Sequence, residues 1–330
     1  MTRLYLIIIF SFSISFSQNT GGSLAFMNIS PTANSRSLGY TIASEMHKPA
    51  ALVLSPANIW QYSNMKVSVN DMSLSRLDDL TYNNIFLSKK VNDWTFGAGG
   101  INFGVKRIEE YDEDAVFEGY FNYQSKAMMF GVANKISNFI WGLGISMMDE
   151  GFSKFDSNKN THIGLDLGVT FLDVKISNLY FTGGMSSKSI IAGTDKTNSA
   201  YSTSSVFTKI SSIFIDTDVI KLSINGFGDF HSQQYLNRYY VNMGIQGSAS
   251  IKDFFLHKVY LNSGLSNIPI LAEGDDYISY LLNNKKFSIG AGIEITPPNN
   301  DKWKVNIQYA QVFDSYYESK YFSCNFIKRK

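Results

Sequence analysis

The sequence predicts an all-β fold: a 14-stranded antiparallel transmembrane β-barrel with an N-terminal plug segment. Three observations predict it. Apolar and polar residues alternate with a period of two through most of residues 64–330, the pattern of strands with one greasy and one polar face. The links between these runs switch between short turns and long polar stretches. Charged residues make up only 17% of the chain while aromatics reach 15%, a balance that disfavours disorder and a helical bundle.

The first element is an export signal over residues 1–17. Arg3 precedes the apolar run Leu4 to Phe10, and small residues follow at Ser15 and Ser17. Charge, short apolar core and small residues are the signal-peptide order, with the cut expected before Gln18. The core is too short for a spanning helix, which needs roughly 20 apolar residues. Cys324 is the one cysteine, so neither a disulfide framework nor a thiolate metal cage is possible within the chain.

Residues 18–63 differ in texture and are expected to form the plug. Small residues recur at near-helical spacing from Ala33 to Ser44, and Lys48-Pro49 interrupts them. Ala50 to Leu54 and the turn Ser55-Pro56-Ala57-Asn58 follow. A fourteen-strand lumen is too wide for wall side chains to fill, since about eight strands mark that limit. The segment is therefore expected inside the barrel.

Residues 64–330 supply the barrel. In residues 162–171, Ile163, Leu165, Leu167, Val169 and Phe171 alternate with His162, Gly164, Asp166, Gly168 and Thr170. Residues 287–296 repeat the theme. Strands are expected near 65–73, 80–90, 93–106, 119–135, 139–149, 161–173, 177–187, 204–213, 217–229, 237–248, 256–266, 285–297, 302–313 and 318–327. Short links fall at Val91-Asn92, Ser137-Asn138, Val174-Lys175-Ile176, Asp216 and Pro298 to Asp301. Long ones fall at 107–118, 150–160, 188–203 and 267–284. Short turns at one end and long loops at the other mark an outer-membrane barrel. Lipid demands a closed sheet, because no free edge can be left unpaired in hydrocarbon. Gly142, Gly144, Gly164, Gly168, Gly290 and Gly292 lie on the polar side, suited to close packing of a plug. Trp60, Trp94, Tyr180, Trp303, Tyr316 and Tyr321 near strand ends are candidates for interfacial girdles.

Short motifs follow one another in a fixed order: Ser23-Leu24-Ala25-Phe26-Met27, then Arg36-Ser37-Leu38-Gly39-Tyr40-Thr41-Ile42-Ala43, then Ser55-Pro56-Ala57, and later Gly164 to Val169 and Phe287 to Ile293. This order resembles the PorV/PorQ family, a branch of the FadL-type fourteen-stranded barrels, and the last two motifs resemble two of the family's strands. Ser55 stands where the family has Asn, and Tyr40-Thr41 where it has Met-Gly. The resemblance implies a plug motif formed by Arg36, Gly39, Ala43, Ser55, Pro56 and Ala57. It also implies a type IX secretion component that binds exported proteins at the cell surface of a Gram-negative outer membrane. Its partners would be outer-membrane lipid, secreted proteins and secretion machinery. The alternative is a FadL-like channel for uptake of hydrophobic small molecules, with Ala51, Leu52, Val53 and Leu54 lining the pocket.

Charge and motif spacing exclude other classes. The net charge of +1 rules out an electrostatic nucleic-acid binder. His47, His162, His231 and His257 lie too far apart in sequence for a zinc motif. Ser63-Asn64-Met65-Lys66 and Gly97-Ala98-Gly99-Gly100 match enzyme motifs only by letters, without the helix start each needs. No catalytic, cofactor or metal residue is expected. Two acidic clusters, Glu109, Glu110, Asp112, Glu113 and Asp114, then Glu273, Asp275 and Asp276, are expected in long loops as candidate surface contacts.

Overall fold

A strand whose side chains alternate between two solvents can satisfy its backbone only by pairing on both edges. The computed structural model of the protein meets that demand by closing the sheet. It describes residues 31–74, 77–111, 115–152, 160–193, 202–233, 238–251, 255–269, 286–297, 302–313 and 318–328. Residues 1–17 with the expected signal, residues 18–30, Asp112 to Asp114, Glu273, Asp275, Asp276 and Tyr316 lie outside the described residues.

The strands are β1 (Met65–Leu74), β2 (Leu77–Val91), β3 (Trp94–Tyr111), β4 (Phe117–Ile136) and β5 (Phe139–Phe152). Next come β6 (Asn160–Ile176), β7 (Leu179–Gly193), β8 (Ser202–Asp216), β9 (Ile220–Gln233) and β10 (Arg238–Ile251). The last are β11 (Leu256–Pro269), β12 (Lys286–Ile295), β13 (Trp303–Phe313) and β14 (Glu318–Lys328). Each pairs antiparallel with its sequence neighbours, and β1 closes on β14 from Met65↔Lys328 to Leu74↔Ser319. All fourteen strands expected from alternation are present.

Outside the ring the side chains are apolar. Leu87, Phe130, Ile145 and Leu165 form a register row across β2 to β6 and are all exposed. Ile210, Ile245, Leu261, Ile289 and Phe322 continue the belt around the ring. So much apolar surface in water would cost about 25 cal/mol per Å², whereas hydrocarbon covers it without that cost. Inside, Ser68, Asn84, Ser88, Thr95, Ser146, Thr170, Asn262 and Ser323 are buried.

The long links are shorter than expected. β3 runs on to Tyr111 and β4 starts at Phe117, so Glu109 and Glu110 stand on a strand rather than in a loop. β7 and β8 likewise extend to Gly193 and from Ser202. Beyond the apolar belt both faces meet water, so the backbone ladder continues where alternation has stopped. At the other end, Val174 to Ile176 belong to β6 and Asp216 to β8. The turns there are Asn92-Asp93, Ser137-Asn138 and Ser177-Asn178, each with its first residue at positive φ (54°, 58° and 55°), the backbone that tight hairpins require.

Two aromatics depart from the girdle expectation. Trp60 and Tyr321 are buried in the lumen, 3% and 5% exposed. Trp94 does face outward at the short-turn end, edge-on to Trp141 at 5.4 Å.

Candidate functional site

The lumen holds residues 31–63. They form a short helix α1 (Ala33–Ser37) and three 3₁₀ turns, η1 (Ile42–Glu45), η2 (Pro49–Val53) and η3 (Pro56–Ile59). Thr32 caps α1 by accepting from the Ser35 amide, a preferred cap chemistry. Gly39, at φ +71°, ends it in the left-handed conformation that suits glycine. Pro49 and Pro56 open η2 and η3, where a missing amide hydrogen is no loss. Within the segment, the buried Glu45 carboxylate pairs with Lys48 at 3.1 Å and accepts from Thr32.

One half of the segment is fastened by hydrogen bonds. The Ala33 amide donates to Ser323 Oγ on β14 at 2.6 Å, and Asn84 on β2 donates to the Pro31 carbonyl at 2.9 Å. On β11, Asn262 donates to Ser37 Oγ at 2.7 Å and to Asn34 Oδ1 at 3.3 Å. Asn262 itself accepts from Gln246, which accepts from Asn225, giving a ladder across β9, β10 and β11. The Ile42 amide donates to Asp229 on β9. Arg36 sits between the Tyr40 and Tyr321 rings, 4.1 and 4.5 Å from their centroids.

The other half is fastened by shape. Leu52 lies against Gly131 and Ile59 against Gly97, and the backbone at Pro56-Ala57 rests on Gly142. Ser55 Oγ lies where a Gly168 side chain would start, 2.5 Å from its ideal Cβ. The glycines pair across strands, Gly97 with Gly131, Gly131 with Gly144, and Gly142 with Gly168, so they make grooves rather than isolated gaps. Above them on β2 to β5, Phe86, Ile101, Met129 and Met148 form a buried apolar strip in the same cluster as Ala50, Ala51, Leu52 and Val53. Hydrogen bonds reinforce this half too: Thr170 Oγ1 donates to Asn58 Oδ1 at 2.8 Å, and on β2 Ser88 Oγ donates to Gln61 Oε1 at 2.8 Å while Gln61 Nε2 donates to the Ser88 carbonyl at 3.3 Å.

The sequence motifs therefore fall at docking points. Arg36 and Gly39 meet the polar wall, and Ala43 is buried beside Phe207 and Phe227 on β8 and β9. Ser55, Pro56 and Ala57 meet the glycine grooves. Of the six glycines named from sequence, Gly142, Gly168 and Gly290 touch the segment, while Gly292 makes room for the Tyr260 ring and Gly144 lies beside Asp166. Sequence reasoning missed Gly244 and Gly264, register partners that face the backbone at Leu38 and Gly39.

At the short-turn end, His47 Nδ1 donates to the Trp60 carbonyl at 2.7 Å. Burial, with Lys66 nearby, holds the imidazole down to about 4, so it is neutral at pH 7. Trp60 Nε1 in turn donates to the Asp93 carbonyl at 3.2 Å.

A nucleophile-like trio also appears. Ser205 Oγ is 2.8 Å from His231 Nδ1, and His231 Nε2 is 3.6 Å from Asp229. Asp229 is engaged by the Ile42 amide. The backbone around Ser205 belongs to the ladders with β7 and β9, which leaves no pair of free amides to hold an oxyanion. The trio reads as an anchor for η1. Among the described residues, no group of three or more His, Cys, Asp and Glu side chains converges as a metal site.

No protein-family model matches the sequence, and no curated protein matches it. Solved structures do match in fold. A Pseudomonas aeruginosa FadL homologue is 9% identical at a TM-score of 0.52, over 90% of this chain and 98% of its own. The CymD monoaromatic hydrocarbon channel is 10% identical at 0.51 over the same shares. The Ralstonia pickettii toluene transporter TbuX is 9% identical at 0.50, again over 90% and 98%. The chain thus shares the fold of these outer-membrane β-barrels. Its fold is of the FadL type, and identities this low carry nothing finer.

Proposed function

We propose that the protein is a channel through which hydrophobic small molecules cross the outer membrane, with residues 31–63 as its plug. The observation that carries this reading is the apolar strip of Phe86, Ile101, Met129 and Met148 on an inner wall that elsewhere buries many polar side chains. A lumen filled by water or by polar peptide has no use for it. A hydrophobic cargo can replace Leu52 and Ile59 against that wall, apolar surface for apolar surface, so opening this half has little solvation cost. The solved barrels of similar fold include a monoaromatic hydrocarbon channel and a toluene transporter, which supports the same reading.

The type IX secretion reading rests on the ordered motifs alone. The plug motifs that the structure describes, Arg36 to Ala43 and Ser55 to Ala57, lie where the segment meets the wall and speak to how the lumen is filled, not to cargo. Uptake of labelled toluene by cells with and without the protein tests the choice. Slower uptake on deletion is expected. Unchanged uptake, with normally secreted proteins retained in the periplasm, would overturn the channel reading in favour of secretion.

A further inference from the structure

Docking of the segment leaves a number of buried polar atoms without a hydrogen-bond partner among the described residues, and three of them share one stretch of wall. Where Ser55 meets β6, three polar atoms are shielded from solvent and find no hydrogen-bond partner among the described residues: Ser55 Oγ, Asp166 Oδ2 and Lys188 Nζ. Ser55 is 0% exposed and Asp166 2%. Such atoms are rare in folded proteins and call for an explanation.

Their placement supplies one. A single register row crosses the inner wall as Gly97, Gly131, Gly144, Asp166 and Lys188, on β3 to β7. Its first part is the groove in which Leu52 and Ile59 lie. Its far end is the charged pair. Gly168, the next lumen-facing residue along β6, lies under Ser55 Oγ, about 7 Å from Asp166 at strand spacing. The groove is thus apolar along its length and polar at one end.

The polar end also defines what it accepts. A carboxylate only accepts hydrogen bonds and an ammonium only donates them. A free cation meets Lys188, and a free anion meets Asp166. A neutral hydroxyl donates to the first residue's oxygen and accepts from the second's nitrogen, and Ser55 Oγ can do either. We infer that Ser55, Asp166 and Lys188 form a binding site for the hydroxyl of a hydrophobic alcohol or phenol whose apolar body takes the place of the Leu52 and Ile59 side chains in the glycine groove. The inference rests on the channel reading and narrows its substrate class.

The test uses the full chain in detergent and two probes of matched size, 4-propylphenol and propylbenzene, with binding followed by calorimetry. The wild type is expected to bind 4-propylphenol about tenfold more tightly or better, because a site built for a hydroxyl discriminates against the analogue without one. Lys188→Met should abolish that preference. Ser55→Ala should reduce the preference several-fold without altering any charge, so it still decides the question should Lys188→Met fail to fold. Equal binding of the two probes by the wild type overturns the hydroxyl site and leaves the channel reading standing. A preference that survives Ser55→Ala and Lys188→Met overturns it too. Binding of neither probe overturns both.

Discussion

The two halves of the lumen hold one segment by different physics. Along β9 to β14, α1 and η1 are met by Asn262, Asp229 and Ser323, with Gln246 and Asn225 bracing Asn262 from behind, a wall of amides, a hydroxyl and a carboxylate. Along β2 to β6, η2 and η3 are met by glycine grooves and the Phe86–Met148 strip. A neutral hydrogen bond exchanged with water contributes only about 1 kcal/mol net. Emptying a packed apolar site costs several times that, because a cavity remains. The polar half therefore sets where the segment sits, and the apolar half supplies most of what keeps it there. On the channel reading proposed above, a hydrophobic cargo would compete only with the second.

Substitutions can break or sharpen that contrast. The largest effect is expected at Gly39, where an added Cβ overlaps the Leu265 and Met243 carbonyls and the backbone is left-handed. Gly39→Val should cost about 4 kcal/mol or more and release residues 31–63 to protease while the ring still migrates as a folded, heat-modifiable band. Leu52→Ala should destabilise the seated segment by about 2–5 kcal/mol, read as a lower denaturant midpoint for its protection. Asn262→Ala removes two bonds to the segment and should cost about 1–3 kcal/mol. A larger loss at Asn262 than at Leu52 would reverse the division of labour argued above.

The smallest effect concerns pH. His47 in the folded protein titrates near 4, below its ordinary 6.5, so the released segment takes up the proton first. Its stabilisation is fully present above pH 6.5 and is lost as pH falls towards 4. For a half-buried ring the loss from pH 7 to 5 should be about 1 kcal/mol. Segment protection measured across that range should fall in the wild type and stay level in His47→Gln.

The barrel was legible because period two needs no knowledge of a partner. Ile163 to Phe171 and Phe287 to Ile295 declare an outward face wherever their neighbours lie. Strand ends were less legible, since Glu109 and Glu110 sit where both faces are wet and the period carries no information. Tyr321 was misassigned by residue type although its phase, shared with Ser319, Ser323 and Asn325, marks it as lumenal. The paired glycines Gly244 and Gly264 fall in the polar phase of neighbouring strands and offered a similar signal. No local pattern could show that Gly39 meets two carbonyls more than 200 positions away, or that Lys188 lies across from Asp166, because both depend on register.

The seam between β1 and β14 has a consequence for manufacture. Residues 31–63 precede the first strand, yet the wall around them is complete only when the last strand arrives. A filling seated early is enclosed as the final pair zips shut; one seated late enters through a mouth. A separate peptide of the same sequence, offered to a finished ring lacking its own, would have to thread in through one mouth. The molecule is wrapped around its contents, like a cask raised about what it will hold.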